Sequence, residues 1–181
     1  MLFDEAGVRE NLLPLTFTRP VADLRVGILT IREKWQRVLS GYYSFLTVDY
    51  LQEKFPAMPV EDNLFVAGNV CPTASLVSRI ETLKQGEALV RSSGEVVAFR
   101  GDADSFKSHT FANEVLCDDD ALTLTMLYDI FMNNHRGIVE DFALLTRGRK
   151  SQPLSDSNTL IGELVDANGN PLIFIEEGAG G

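Results

Sequence analysis

Leu24-Arg25-Val26-Gly27-Ile28-Leu29-Thr30-Ile31-Arg32-Glu33-Lys34-Trp35-Gln36-Arg37-Val38 is the stretch whose reading decides the fold. Leu24, Ile28, Ile31, Trp35 and Val38 step by three and four, the spacing of one apolar helix face. Gly41 follows as the stop. Met1-Leu2-Phe3 precedes the helix as an apolar stub, and Ser44-Phe45-Leu46-Thr47-Val48 follows it as a buried strand. Strand, helix, strand is the unit of a parallel sheet. Between the stub and the helix, residues 5–20 lack periodicity and hold Pro14 and Pro20, so they read as a long loop.

The alternation continues outward. Tyr50–Lys54 reads as a short helical piece and Asn63–Ala67 as a strand ending at the turn pair Gly68-Asn69. Thr73 is set to cap a helix carrying Leu76, Ile80 and Leu83 on one face. Residues 88–91 and 95–99 flank Ser92-Ser93-Gly94 as a β-hairpin. Residues 101–120 carry no clear signal, residues 122–145 read as helix with a break at Gly137, and Leu172–Ile175 as a strand. The expected class is an α/β domain with a mixed, mainly parallel sheet flanked by helices, Rossmann-like. Its boundaries are set at residues 1–170, and residues 171–181 read as the start of a following domain.

Composition narrows the function classes. The 181 residues are 45% hydrophobic and 23% charged, as in an ordinary globular domain. No apolar run is long enough to span a bilayer, and Met1-Leu2-Phe3-Asp4-Glu5 is not a signal peptide, which predicts a cytoplasmic protein without a membrane partner. The net charge of −10 argues against a nucleic-acid partner. Residues 1–40 nevertheless carry six basic and five acidic side chains, so the charge of −11 sits on the other 141. A site for an anion belongs in that first segment, although this density of basic residues is also near average.

Within the segment, Leu13-Pro14-Leu15-Thr16-Phe17-Thr18-Arg19-Pro20-Val21 resembles the signature of sugar-1-phosphate nucleotidyltransferases, G-x-G-T-R-L-x-P-L-T-x-x-x-P-K after the first strand. Pro14-Leu15-Thr16 and Pro20 match in identity and spacing, and Val66-Ala67-Gly68-Asn69 is similar to the family's strand ending in Gly-Asp. Residues 9–35, with Asp129-Ile130-Phe131 and Asp141-Phe142, look closest to the glucose-1-phosphate thymidylyltransferases and to relatives of the bifunctional UDP-N-acetylglucosamine pyrophosphorylase/acetyltransferase. In that branch a left-handed β-helix follows, and Ile173–Ala179 looks like its first coil. The resemblance implies nucleotidyl transfer from an NTP to a sugar-1-phosphate with release of pyrophosphate, magnesium (Mg2+) as cofactor, and homo-oligomers through the C-terminal domain.

The same alignment carries departures. The family's second glycine falls on Arg9, its arginine on Asn11, its lysine on Val21 and its metal-binding aspartate on Asn69, leaving Gly7 of the glycine pair. Gly7, Arg9, Asn11 and Asn69 are therefore the expected substrate-binding positions. Arg25, at the opening of the helix, is a further phosphate contact, and Arg19, before Pro20, is the expected catalytic cation. No metal ligand set is assigned. The alternative is a catalytically silent domain that binds a nucleotide sugar or supports assembly of a sugar-modifying acyltransferase.

Other groups have plainer readings. Asp4 ends the first strand as either a ligand contact or a loop cap. Asp102 and Asp104, like Asp118-Asp119-Asp120, read as solvated turns before metal ligands. Cys71 and Cys117 read as buried thiols and Trp35 as core.

Overall fold

The computed structural model describes residues 1–167, 169 and 171–178. Six strands form one sheet: β1 (Leu2–Phe3), β2 (Phe45–Leu46), β3 (Asn63–Ala67), β4 (Glu87–Val90), β5 (Val96–Gly101) and β6 (Asn113–Leu116), in the order β2-β1-β3-β5-β4-β6. β1 pairs in parallel with both β2 and β3, and β4 with β6; only β5 runs against its neighbours β3 and β4. Five strands thus point one way, and their carboxyl ends share one edge. The fold is the α/β, mainly parallel architecture expected from the alternating pattern.

Seven α-helices connect and cover the strands: α1 (Ala6–Asn11), α2 (Ile31–Val38), α3 (Asp49–Gln52), α4 (Ala74–Glu81), α5 (Ala103–Lys107), α6 (Leu127–Met132) and α7 (Asn134–Thr146). No helix among the described residues is long and apolar enough to cross a membrane. The chain divides into two compact units, Met1–Asp141 and Phe142–Gly181.

The first unit holds the sheet and its core. Trp35, Phe65 and Phe99 are fully buried. The Trp35 indole N–H donates to Val70 O at 2.8 Å, which locks α2 beside the end of β3. Phe106 of α5 stacks on Phe65 with ring centroids 4.2 Å apart and lies 4.8 Å from Phe3. In the second unit, Arg149 pairs with Glu176 and lies over the Phe174 ring, and Gln152 N donates to Ile175 O at 3.0 Å.

Five local expectations change. The helix read over 122–145 starts only at Leu127 and breaks at Asn133, between α6 and α7, while Gly137 lies inside α7. Residues 5–20 are not all loop: Glu5 accepts Val8 N–H at 2.8 Å and caps α1, a start signal that needs no apolar periodicity. The helix begins at Ile31, not Leu24. Residues 25–30 form a tight turn closed by an Arg25–Thr30 bridge, and Thr30 and Glu33 make a capping box that sets the true start. Residues 101–120 hold α5, capped by Asp102, and β6, which pairs in parallel with β4. Leu172–Ile175 forms no strand; its neighbours reach it through single backbone bonds at its two ends, without a ladder.

Candidate functional site

Ligands of open α/β sheets bind beyond the carboxyl ends of the strands. Here that edge carries Asp4 after β1 and Gly68-Asn69 after β3. A 3-10 turn, Val21–Asp23, lies directly on it. A Cβ at Gly68 would stand 3.0 Å from Phe3 O and 3.3 Å from the Ala22 nitrogen, so any larger residue would push these neighbours back by a few tenths of an ångström. Val21 and Ala22 are fully buried beneath the loop.

The loop over this edge is organised from within by Arg9. Its guanidinium is 5% exposed and donates to four acceptors. Nη1 reaches Asp4 Oδ2 and Arg19 O, each at 3.3 Å; Nη2 reaches Tyr50 Oη at 2.8 Å and Thr16 O. The Tyr50 hydroxyl in turn donates to Phe17 O at 2.9 Å. Thr16, itself fully buried, returns a hydrogen bond to Arg9 O at 2.9 Å. The chain from Thr16 to Arg19 is thereby held at three carbonyls by one guanidinium and one phenol.

Asp4 completes this knot and acts as a loop cap. It accepts Val21 N–H at 2.9 Å and the Thr47 hydroxyl at 2.5 Å. Burial pushes its pKa above the usual carboxylate value, against the Thr47 hydroxyl, the Val21 N–H and Arg9, which favour the anion.

The expected substrate positions separate into distinct settings. Gly7 and Asn11 lie exposed on α1, so Gly7 sits in a helix instead of a phosphate-cradling turn. Arg9 faces the protein's own carbonyls. Asn69 is 3% exposed; its amide donates to Leu124 O at 3.1 Å, and its carbonyl accepts Leu124 N–H at 2.9 Å. Arg25 is exposed, not at a helix start, and donates to Ile28 O while approaching Glu33 at 3.8 Å.

Arg19 stands apart from these. Its side chain is exposed and makes no hydrogen bond or ion pair among the described residues. It lies near Asp23, whose carboxyl is raised by burial and held back by Arg32, at 2.7 Å, and by Arg19. Arg19, Arg25 and Arg32 thus crowd around Asp23 and Glu33 beside the loop. A free guanidinium on a fixed backbone suits an anionic ligand, since the backbone is already ordered and only the side chain must be fixed on binding.

The same residues offer magnesium a poor set of donors. Asn69 is uncharged and engaged with Leu124, and both Asp4 oxygens have protein partners. No group of three or more His, Cys, Asp or Glu side chains that could hold a metal occurs among the described residues. Magnesium favours carboxylate oxygens, and these positions do not fit it. Asp102 is a helix cap, accepting Asp104 and Ser105 N–H at 3.0 and 2.8 Å. Asp118 accepts Ser92, and Asp119 accepts the Thr73 hydroxyl. Cys71 is buried, its thiol pushed up to about 12 by burial, which suits a structural role.

Two cavities flank the sheet, neither of them lined by Arg19 or Asp4. One of about 540 Å³ opens at the carboxyl ends of β4 and β6, lined by Arg91, Asp118–Asp120, Thr123, Asn133 and Arg136. Another of about 300 Å³ lies at the opposite edge, where Met1, Ser44 and Asn63 begin their strands.

Thr16 lies within the motif match, but Tyr50 and Thr47 were out of reach of spacing arguments, because they lie 41 and 43 residues from Arg9 and Asp4.

None of the curated proteins matches the chain. The sequence pattern described as sugar nucleotidyl transferase does match, over residues 1–150. That range contains the whole sheet, the Arg9 knot and the Arg19 loop, and it supports a nucleotidyl-transfer role in broad terms; the chain belongs to the sugar nucleotidyl transferase family.

Proposed function

We propose that this chain transfers a nucleotidyl group from an NTP to a sugar-1-phosphate on the carboxyl edge of its sheet. The observation that carries the reading is Arg19: an exposed guanidinium without a hydrogen-bonded partner, on a loop pinned from below, over the ends of β1 and β3. In the reaction a phosphate oxygen of the sugar-1-phosphate attacks the α-phosphorus of the NTP. The new P–O bond forms as the bond to the α,β-bridging oxygen breaks, and pyrophosphate leaves with that electron pair. Arg19 offsets the charge that gathers on the leaving phosphates. Magnesium enters as the counter-ion that the triphosphate brings from solution, and no step is routed through a protein-held ion.

The open cavity at β4 and β6 supports a substrate of the right length. β4 lies three strand spacings from β1, about 14 Å. One end of a nucleotide sugar at Arg19 would leave the other near Arg91, Thr123 and Asn133, whose polar groups suit hydroxyls.

A second reading is a silent module that binds a nucleotide sugar without turning it over. Two positions favour it: Val21, where the family has lysine, is fully buried, and Asn69 is engaged with Leu124. One assay separates the two. The protein is incubated with each NTP, magnesium and glucose-, N-acetylglucosamine- or mannose-1-phosphate, and pyrophosphate is measured. Release with one pair supports transfer. Silence with every pair, together with saturable nucleotide-sugar binding, supports the module.

A further inference from the structure

We infer that Arg9 and Tyr50 are positioning residues: they touch no ligand themselves, and they fix the loop that presents Arg19. This rests on the reading of Arg19 as the anion contact. A buried guanidinium with four protein acceptors has almost no donor left for a phosphate. Two of those acceptors are carbonyls of the loop, Thr16 O and Arg19 O. Tyr50 supplies the third anchor: it accepts from Arg9 Nη2 at 2.8 Å and donates to Phe17 O at 2.9 Å. The anchors alternate along Thr16, Phe17 and Arg19, so the backbone is gripped on both sides of the residue before the guanidinium. The Arg9 carbon also lies 5.8 Å from the Tyr50 ring centre, which keeps the two groups in one stack. A loop held this way loses little freedom when Arg19 meets an anion; a released loop must be ordered by the ligand itself.

The distinguishing consequence is that Tyr50 acts only through Arg19. Tyr50→Phe removes one hydroxyl from a half-exposed ring and leaves the core untouched. Binding of magnesium–UTP and magnesium–dTTP is measured by calorimetry for wild type, Tyr50→Phe, Arg19→Ala and the double variant. Amide hydrogen exchange is followed in parallel. Tyr50→Phe weakens nucleotide binding roughly 3- to 10-fold, the scale of one neutral hydrogen bond, and has no added effect in the Arg19→Ala background. The Leu15 and Phe17 amides, bonded to Leu12 O and Pro14 O, exchange faster in Tyr50→Phe and in Arg9→Lys, while those of β3 and β5 do not change. An equal penalty in both backgrounds overturns the inference, because Tyr50 then acts independently of Arg19. Unchanged loop exchange overturns it as well. If wild type binds neither nucleotide, the proposed function fails, and the exchange data alone decide whether Arg9 and Tyr50 set the loop.

Discussion

Arg9 falls where the motif resemblance implies a glycine that would let backbone amides close on a phosphate, and its side chain turns inward instead. A guanidinium there can either meet the ligand or replace the turn, and its four acceptors show replacement. Motif spacing brought Arg9 and Arg19 into one region, and the end of the first strand brought Asp4 there. It could not tell inward from outward, since that depends on Thr16, Thr47 and Tyr50, brought in by chain folding. Asp4 offers a test of the knot's electrostatics. Its pKa is raised because burial outweighs its hydrogen bonds and Arg9. A carboxyl whose folded pKa is raised contributes stability that is complete below the unfolded value near 3.8 and is lost as pH rises through the folded value. Asp4→Asn cannot titrate. The stability of wild type minus that of Asp4→Asn, from urea unfolding, should therefore fall as pH is raised from about 3.8. A difference that grows with pH would mean the Arg9 ion pair dominates burial.

Among the elements, α2 and the turn before it show how far periodicity reaches. The three-and-four step ran through Leu24 and Ile28 into Ile31, yet residues 25–30 are a turn. Both a helix and a folded turn can bury every third or fourth residue; Val26 and Leu29 are buried while Ile28 is exposed. The Thr30–Glu33 box was the sharper signal. β6 escaped notice because Asn113-Glu114-Val115-Leu116 is a short, largely exposed edge strand with only one apolar residue on each face. The turn is held by α7, a long-range contact without any local sign in the sequence. Gly27, at φ +85°, meets Gly137, and Asn134 accepts Gly27 N–H at 2.9 Å. Asp141 accepts Ile28 and Leu29 N–H at 2.8 and 2.9 Å and pairs with buried Lys34. A Cβ at Gly137 would lie 2.9 Å from Val26 O, so Gly137→Ala should cost about 1–3 kcal/mol in chemical denaturation. Asp141→Ala leaves the Lys34 ammonium buried without its partner and should cost about 3–5 kcal/mol, with Lys34→Met in the same chain restoring part. No recovery in the double variant would show that the backbone bonds of Asp141, not its charge, hold the turn.

At the scale of the whole molecule, the buried apolar side chains among the described residues run from Leu2 to Leu124, all within the first unit. A fragment of residues 1–150 should therefore unfold cooperatively and keep the nucleotide affinity of the full chain. Loss of a cooperative transition in calorimetry would place part of the fold's stability in the second unit. The fold class was legible because strand and helix alternate with strong burial signals. The site was legible only in outline, since the sheet edge follows from topology while its chemistry follows from which way a few polar side chains turn. The acidic surface, at −10 overall, leaves the Arg19 loop as a local exception suited to an anionic substrate. The most direct test is a calorimetric titration of magnesium–UTP and magnesium–dTTP into wild type and Arg19→Ala. The account predicts saturable binding of at least one nucleotide by wild type and a loss of roughly 1.5–3 kcal/mol in the variant. Equal affinity in the two proteins would remove Arg19 from the site and the proposed chemistry with it.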